Sequence, residues 1–94
     1  MSEPRFYSVK LTPKAERDMK KIPSGFQKEL CEELISLSGE RHPKKWMHRI
    51  IGYRGLYSVR AGEYRAIVAV LDDVMIILVV EAGHRSKIYR KYES

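Results

Sequence analysis

The sequence contains little cysteine and no long hydrophobic run. Its single cysteine, Cys31, cannot form a disulfide within the chain, which favours a reducing compartment. The longest apolar stretch covers residues 74–80 and is far shorter than the roughly 20 residues that a membrane-spanning helix requires. The N-terminal segment MSEPRFYSVK also lacks the apolar core of a secretory signal. Together these absences predict a cytoplasmic protein.

Several well-known catalytic motifs are also absent. The chain has no glycine-rich phosphate loop, no dinucleotide-binding motif, no zinc-protease helix and no nucleophile elbow. His42 and His48 have no carboxylate or cysteine at ligand spacing, so we expect surface residues there and predict no metal or cofactor. Cys31 lies in a helical pattern of apolar residues, which favours a buried structural thiol over a nucleophile. The 94 residues suffice for one domain, residues 1–94, without a linker.

Positive charge is present in excess, and it is concentrated in two segments. The formal net charge is +6, yet residues 14–40 hold five cations and six acidic residues. Residues 41–65 hold seven cations and one glutamate, and residues 81–94 add four cations against two glutamates. Such focused charge attracts polyanions, first nucleic acid and second an acidic protein, although a basic surface also serves solubility alone.

The first half of the chain predicts one strand followed by two helices. Residues 5–11 alternate in polarity and are rich in strand-forming side chains. A hydroxyl followed by a proline, Thr12 and Pro13, makes a helix start. A second helix is predicted to begin at Ser24, as a capping residue, and to end at Gly39.

The second half predicts an irregular basic connection, three strands and a helical tail. The strands are predicted to begin at Leu56, Glu63 and Val74, with tight turns between them. Four apolar residues are expected to anchor the connection in the core: Trp46, Met47, Ile50 and Ile51. The predicted fold is therefore α+β, in the order β-α-α-β-β-β-α. It has a small antiparallel sheet of about four strands, two N-terminal helices packed on the sheet and a short C-terminal helix.

The turn positions predict which side chains meet across the sheet. A two-residue turn at Gly62 and Glu63 pairs Arg60 with Arg65 on one face. Like charges directly opposite each other destabilise a sheet, so a bound anion or an acidic neighbour is expected. A second two-residue turn, at Asp72–Asp73, pairs Arg65 with Val80. The chain that follows the last strand then emerges beside both arginines.

The side chains expected at this rim could bind and cleave a phosphodiester. Guanidinium groups hold phosphate oxygens in pairs and stay charged at any working pH. A phenol or an imidazole beside them could move a proton, giving a metal-free ribonuclease that uses the RNA 2′-hydroxyl as nucleophile. Tyr89 and His84 are the two candidates for this proton transfer. Many arginine-rich surfaces bind RNA without cleaving it, so non-catalytic binding stays open as an alternative.

One pattern extends across nearly the whole chain. It consists of LTPKAERDMKKIP after the first predicted strand, then GLYSVRAGEYRAIVAV, then ILVVEAGHRSKIY. In combination and spacing these stretches resemble the RelE/ParE family of bacterial and archaeal toxins. The resemblance implies a small antiparallel sheet carrying two N-terminal helices. It also implies a cognate antitoxin partner that wraps the toxin and blocks it.

Two activities compete within that superfamily, and the resemblance implies residue roles for one of them. RelE-type members cut mRNA in the ribosomal A site without a metal, whereas ParE-type members poison DNA gyrase. By resemblance to the first group, Arg60 and Arg65 would hold phosphate. Arg85 would stabilise the transition state or serve the leaving group. Tyr89 would be the general base, with His84 as the alternative.

The sequence thus predicts the toxin of a toxin–antitoxin pair that acts as a ribosome-dependent mRNA endonuclease. A gyrase-directed toxin and a non-catalytic RNA-binding module are the alternatives. Ser58 stands where some RelE members have a lysine. The residues implied as contacts to mRNA or ribosomal RNA are Arg41, Lys44, Lys45, Arg49, Arg54 and Lys87.

Overall fold

The computed structural model of the protein describes residues 6–92. The elements in chain order are β1 Ser8–Leu11, α1 Pro13–Lys20, α2 Ser24–Ser38, a 3₁₀ helix Pro43–Trp46, β2 His48–Arg49, β3 Leu56–Ala61, β4 Tyr64–Leu71, β5 Ile76–His84 and α3 Arg85–Tyr92. The α+β class and the predicted order of helices and longer strands are confirmed. At the ends of the predicted elements, residues 5, 93 and 94 lie outside the described range. No helix within that range is long and apolar enough to span a bilayer.

The sheet differs from the prediction in strand number and in the direction of one strand. It has five strands in the order β1-β5-β4-β3-β2, because the short β2 pairs with β3 at one edge. The other edge is parallel: Ser8 of β1 lies opposite Ile76 of β5. Two helices separate β1 from the later strands, and this long connection allows β1 and β5 to run in the same direction. The sheet is therefore mixed rather than antiparallel.

The two N-terminal helices start differently. At α1 the Thr12 hydroxyl accepts a hydrogen bond from the backbone nitrogen of Ala15 at 3.1 Å, as predicted for a capping residue. At α2 the N-cap is Pro23, without a side-chain hydrogen bond, and Ser24 is already helical, so the prediction of a Ser24 cap is wrong. The α2 helix ends at Gly39, as expected.

Three predicted core side chains are exposed. Cys31 is exposed because it lies on the solvent side of α2, whereas Leu30 next to it is buried. In the basic connection, Met47 and Ile50 are buried as predicted, but Trp46 is 68% exposed and Ile51 is 90% exposed. The Trp46 indole nitrogen donates to the Glu40 carboxylate at 3.2 Å instead of entering the core.

The sheet has an apolar cluster on each face. Alternate residues of a strand point to opposite faces, so Ala66 and Val68 pack beneath α1 and α2 while Ile67 points the other way. On that second face Ile67 packs with Ile50 and with Ile88 of α3. The C-terminal helix therefore covers the face opposite the two N-terminal helices, which is also the face that carries Arg60 and Arg65.

The turn between β3 and β4 allows a test of packing. Gly62 has φ of 60°, and a Cβ built there would lie 2.5 Å from Cε1 of Phe26. We expect Gly62→Ala to lower the free energy of unfolding by about 2 kcal/mol, from left-handed backbone strain and displacement of the Phe26 ring. Urea unfolding monitored by circular dichroism measures the change.

Gly25→Ala is the matched control for this turn variant. A Cβ at Gly25 meets nothing within 4 Å, and the residue lies in the first turn of α2. This substitution is expected to leave stability unchanged or to raise it slightly, since alanine favours a helix over glycine. Equal stability of the Gly62→Ala variant and the unmodified protein would contradict the packing described here.

Candidate active site

The β3–β4 hairpin brings two arginines face to face. Arg60 lies opposite Arg65 and Ala61 lies opposite Tyr64, so the predicted register of this hairpin is confirmed. Because directly opposed residues share a face, both guanidinium groups extend from the same side of the sheet. That side is the one covered in part by α3.

The β4–β5 hairpin differs from the prediction. Its turn covers residues 72–75 rather than two aspartates, and Leu71 pairs with Ile76. A register shift between Ile67 and Val68 adds one more residue, so Arg65 lies opposite Gly83 and not opposite Val80. The longer turn and this irregularity were not visible in the sequence pattern. The end of β5 still lies beside Arg65, as the prediction required.

Arg65 is a buried cation whose partners are neutral oxygens. Arg65 is only 7% exposed. Nη1 donates to the carbonyl oxygens of Gly62 at 3.0 Å and Tyr64 at 3.2 Å, and Nη2 donates to the Tyr89 hydroxyl at 2.9 Å. Within residues 6–92 no carboxylate forms an ion pair with Arg65. The positive charge is therefore positioned but not neutralised, which favours binding of an anion.

Tyr89 is held against Arg65 by the packing of α3. The helix follows β5 directly, and Ile88 is buried in the apolar cluster on the second face. The guanidinium carbon of Arg65 lies 5.5 Å from the centre of the Tyr89 ring. Tyr89 itself is 37% exposed, so its phenol is accessible from solvent.

These side chains line one cleft of about 250 Å³. Its lining residues are His48, Arg49, Ser58, Arg60, Arg65 and Tyr89. The cleft brings together three predicted catalytic residues, Arg60, Arg65 and Tyr89, and one predicted RNA contact, Arg49. His48 also lines the cleft, because β2 pairs it with Ser58. The sequence had predicted His48 only as a surface residue. A strand of two residues gives no periodic signal, so the sequence offered no means of placing His48 here.

The remaining predicted catalytic residues, Arg85 and His84, do not line the cleft. His84 pairs with Tyr64 and therefore lies on the opposite face of the sheet from Arg65. The Arg85 side chain is 53% exposed, and its guanidinium lies 3.9 Å from the Glu63 carboxylate. Nε2 of His84 lies 3.3 Å from the same glutamate, and its Nδ1 lies 3.0 Å from the Ser86 hydroxyl. The side chains of His84 and Arg85 therefore both lie beside Glu63, at the turn between β3 and β4.

The predicted RNA contacts fall on separate surfaces. Lys44 Nζ lies 2.6 Å from the Asp72 carboxylate, which also accepts a hydrogen bond from the Tyr7 hydroxyl at 2.7 Å. Asp72 is therefore more than a turn residue. A cleft of about 520 Å³ at this end of the sheet is lined in part by Arg41, Lys44 and Lys45. Arg49, which also lines the cleft with Arg60 and Arg65, forms a further cleft of about 350 Å³ with Arg54. Lys87 is exposed on α3.

A buried carboxylate fixes the far end of α3. Glu81 is 3% exposed and accepts hydrogen bonds from Lys91 at 2.8 Å and from the Tyr92 hydroxyl at 2.7 Å. Lys14 of α1 lies 3.5 Å from its other oxygen and 2.8 Å from Asp18. Burial alone raises the pKa of Glu81, but these hydrogen bonds and the Lys14 charge outweigh it, so the pKa lies below its ordinary value of 4.5.

This network predicts a loss of stability in acid. A carboxylate with a lower pKa in the folded state than in the unfolded state stabilises the fold above its unfolded pKa. That contribution is lost as pH falls through the folded pKa. We therefore expect the free energy of unfolding to decline below the ordinary glutamate value of 4.5, and Glu81→Gln to decline less steeply. Urea unfolding from neutral to acid pH measures this, with the exposed Glu32→Gln as control; parallel curves for all three proteins would contradict it.

The described residues contain no candidate metal centre. Within residues 6–92, no group of three or more His, Cys, Asp and Glu side chains is placed to hold an ion. The cationic groups of the cleft are its arginines, which suit an anionic ligand.

Several solved structures of RelE toxins have a similar fold. The toxin–antitoxin complex RelBE2 from Mycobacterium tuberculosis matches at 26% identity and a TM-score of 0.72, covering 85% of this chain and 92% of that chain. The free double-mutant RelE of E. coli matches at 18% identity and 0.74, covering 93% and 94%. The RelB–RelE complex of Methanococcus jannaschii matches at 22% and 0.71, covering 88% and 98%. The fold is therefore that of the small RelE-like toxins.

The sequence assigns the chain to a family within that class. The family model of the ParE toxin of the type II toxin–antitoxin system, parDE, matches residues 9–89. Because this match covers most of the chain, the protein belongs to that family of toxins. No curated protein matches the sequence.

Proposed function

We propose that this toxin is a ribosome-dependent endonuclease that cleaves mRNA in the A site by attack of the RNA 2′-hydroxyl, without a metal ion. The observation that carries the proposal is Arg65, a buried guanidinium with neutral oxygens as partners. Arg60 lies directly opposite it in an open cleft. Two such cations without an anion are unfavourable, and a phosphodiester supplies the missing charge.

The side chains of the cleft have different roles in the proposed cleavage of the phosphodiester. Arg60 and Arg65 bind the nonbridging oxygens and stabilise the charge that develops on the pentavalent phosphorus. Tyr89, acting as the phenolate, accepts the proton of the 2′-hydroxyl as the new oxygen–phosphorus bond forms. The bond from phosphorus to the 5′-oxygen breaks and this oxygen takes up a proton, leaving a 2′,3′-cyclic phosphate and a 5′-hydroxyl. Arg85, outside the cleft, contacts a flanking phosphate in this scheme.

The other basic surfaces supply binding to the ribosome. Arg49 lines the cleft and also a neighbouring surface that includes Arg54. Lys87 lies on α3. A third basic surface lies at the opposite end of the sheet and consists of Arg41, Lys44 and Lys45. Contacts to phosphate are nearly independent of sequence and strengthen at low salt. Spread over several surfaces, these residues match a large RNA better than a short free strand.

We also propose a cognate antitoxin as a protein partner and the cytoplasm as the site of action. The M. tuberculosis, E. coli and M. jannaschii toxins were each solved in complex with RelB-type antitoxins. A strongly basic toxin with net charge +6 is complementary to an acidic partner.

Cleavage on purified ribosomes tests the proposal. Ribosomes carrying a defined mRNA are mixed with the toxin, and the cut ends are mapped and their termini analysed. We expect one cut in the A-site codon, with a 2′,3′-cyclic phosphate, and no cut when that nucleotide carries 2′-deoxyribose. Arg17→Gln, an exposed arginine of α1 remote from the cleft, serves as control and should cleave normally. Binding without cleavage by the unmodified protein would leave only an RNA-binding module.

The family model favours a second candidate function, since it describes a ParE toxin. A gyrase-directed toxin would inhibit supercoiling of plasmid DNA by gyrase and would leave ribosome-bound mRNA intact. A supercoiling assay beside the ribosome assay separates the two. Gyrase inhibition that persists in Arg65→Ala, without any mRNA cleavage, would replace the endonuclease proposal.

A further inference from the structure

The cleft contains one imidazole, that of His48, to which the proposed reaction assigns no role. His48 lines it together with Arg60, Arg65 and Tyr89. The side chain shares a face with Ser58, because directly paired residues of neighbouring strands point the same way. Arg60 lies two residues beyond Ser58 on that face, so His48 and Arg60 are diagonal neighbours about 7–8 Å apart. No hydrogen bond or ion pair to another residue of the described part engages the His48 ring.

His48 and Tyr89 lie on opposite sides of the two arginines. Across the sheet the order is β2 with His48, β3 with Arg60 and then β4 with Arg65. Tyr89 lies beyond, against Arg65. A phosphate held between Arg60 and Arg65 is therefore flanked by an imidazole and a phenol. In-line displacement at phosphorus places the entering and leaving oxygens on opposite sides, where a base and an acid must each reach one of them.

We propose that His48 is the general acid that protonates the leaving 5′-oxygen, an inference that rests on the proposed endonuclease activity. The 2′-hydroxyl proton passes to the phenolate form of Tyr89 as the 2′-oxygen bonds to phosphorus. The bond to the 5′-oxygen breaks, and the imidazolium of His48 gives its proton to that oxygen. Protons balance over the step: the enzyme gains one at Tyr89 and loses one at His48. Transfer through solvent then restores both groups.

The surroundings of His48 support this role over the alternatives. Arg85 and His84 face Glu63 at the end of the hairpin rather than the cleft. Ser58, directly opposite His48, has a short side chain that leaves the imidazole open to the cleft. A lysine at that position would lie against the ring and bring a second cation beside it.

The test uses a leaving group that needs no acid. An mRNA with a single 5′-sulfur in place of the 5′-oxygen at the A-site linkage releases a thiolate, which departs unprotonated because thiols are far more acidic than alcohols. On ordinary mRNA bound to ribosomes, His48→Gln is expected to lower the single-turnover cleavage rate by about a hundredfold, with little change in ribosome binding. On the sulfur-substituted mRNA the same variant should cleave at close to the rate of the unmodified toxin. Tyr89→Phe should be impaired on both substrates.

The outcomes separate this inference from the endonuclease proposal. If the unmodified toxin cuts neither substrate, the endonuclease proposal fails and the role of His48 fails with it. If the unmodified toxin cuts both and His48→Gln is equally slow on both, His48 acts in binding or positioning, and the general-acid assignment is overturned alone. Full activity of His48→Gln on ordinary mRNA also overturns the assignment. Selective rescue by the sulfur substrate supports it, since a loss of folding would not depend on the leaving atom.

Discussion

Replacement of Arg65 by lysine is expected to lower mRNA cleavage on ribosomes by about a thousandfold, because the guanidinium provides both the charge and the alignment of the cleft. Its two terminal nitrogens donate to two carbonyl oxygens and to the Tyr89 hydroxyl at once. An ammonium keeps the charge but cannot reproduce this planar array of donors. Single-turnover cleavage of ribosome-bound mRNA, with RNA concentration varied, measures the loss.

Arg60→Lys is the matched comparison for that variant. Arg60 is exposed, and its guanidinium makes no hydrogen bond to another residue of the described part of the chain. The same exchange there should cost about tenfold, since a point charge still attracts phosphate at an exposed site. Urea unfolding of both variants separates lost chemistry from lost stability. If Arg65→Lys retains more activity than Arg60→Lys in folded protein, Arg65 is a structural cation and the proposed clamp is wrong.

The part of the site that depends on one hairpin was predictable from the sequence. Gly62 with its positive φ fixes a two-residue turn, and the turn alone places Arg60 opposite Arg65. A hairpin is a local structure, in which residue type and register are directly linked. The strand pattern of β3 and β4 was therefore enough to identify two of the cleft residues.

The rest depended on contacts between distant segments. The pairing of β1 with β5 joins the two ends of the chain, and no periodicity records which strand will be its neighbour. The longer turn at residues 72–75 and the register shift between Ile67 and Val68 together moved the partner of Arg65 from Val80 to Gly83, a change set by the sheet rather than by any single residue. Trp46 was misplaced because hydrophobicity favours burial on average, while a hydrogen bond to Glu40 holds this indole at the surface.

The helix α3 connects stability to the site. The middle of the helix places Tyr89 in the cleft, while its last two residues, Lys91 and Tyr92, are bound to Glu81. Ile88, next to Tyr89, packs with Ile67 of β4 and with Ile50. The acid-sensitive carboxylate and the candidate base are thus on one rigid element. Conditions that protonate Glu81 should loosen the position of Tyr89 before the main core unfolds.

Removing only the hydroxyl of Tyr89 is the second large effect that we expect. Tyr89→Phe keeps the ring that lies 5.5 Å from the Arg65 guanidinium but removes the proton acceptor and the oxygen that Arg65 contacts. Single-turnover cleavage should fall by about a thousandfold, within the range for loss of a general base, while the ribosome affinity stays nearly constant. Tyr53→Phe is the control, since its hydroxyl reaches only the Lys91 carbonyl at 3.4 Å and lies outside the cleft.

The variant also distinguishes proton transfer from orientation. If Tyr89 acts as the base, the loss persists on mRNA with a better leaving group, because the missing step is removal of the 2′-hydroxyl proton. If Tyr89 only orients Arg65, activity falls modestly in Tyr89→Phe, and Tyr89→Phe adds no further loss to Arg65→Lys in the double variant. Near-normal cleavage by Tyr89→Phe, together with an inactive His84→Gln, would assign the base to His84. That result would require His84 to leave Glu63 and Tyr64 and to cross from the opposite face of the sheet when mRNA binds.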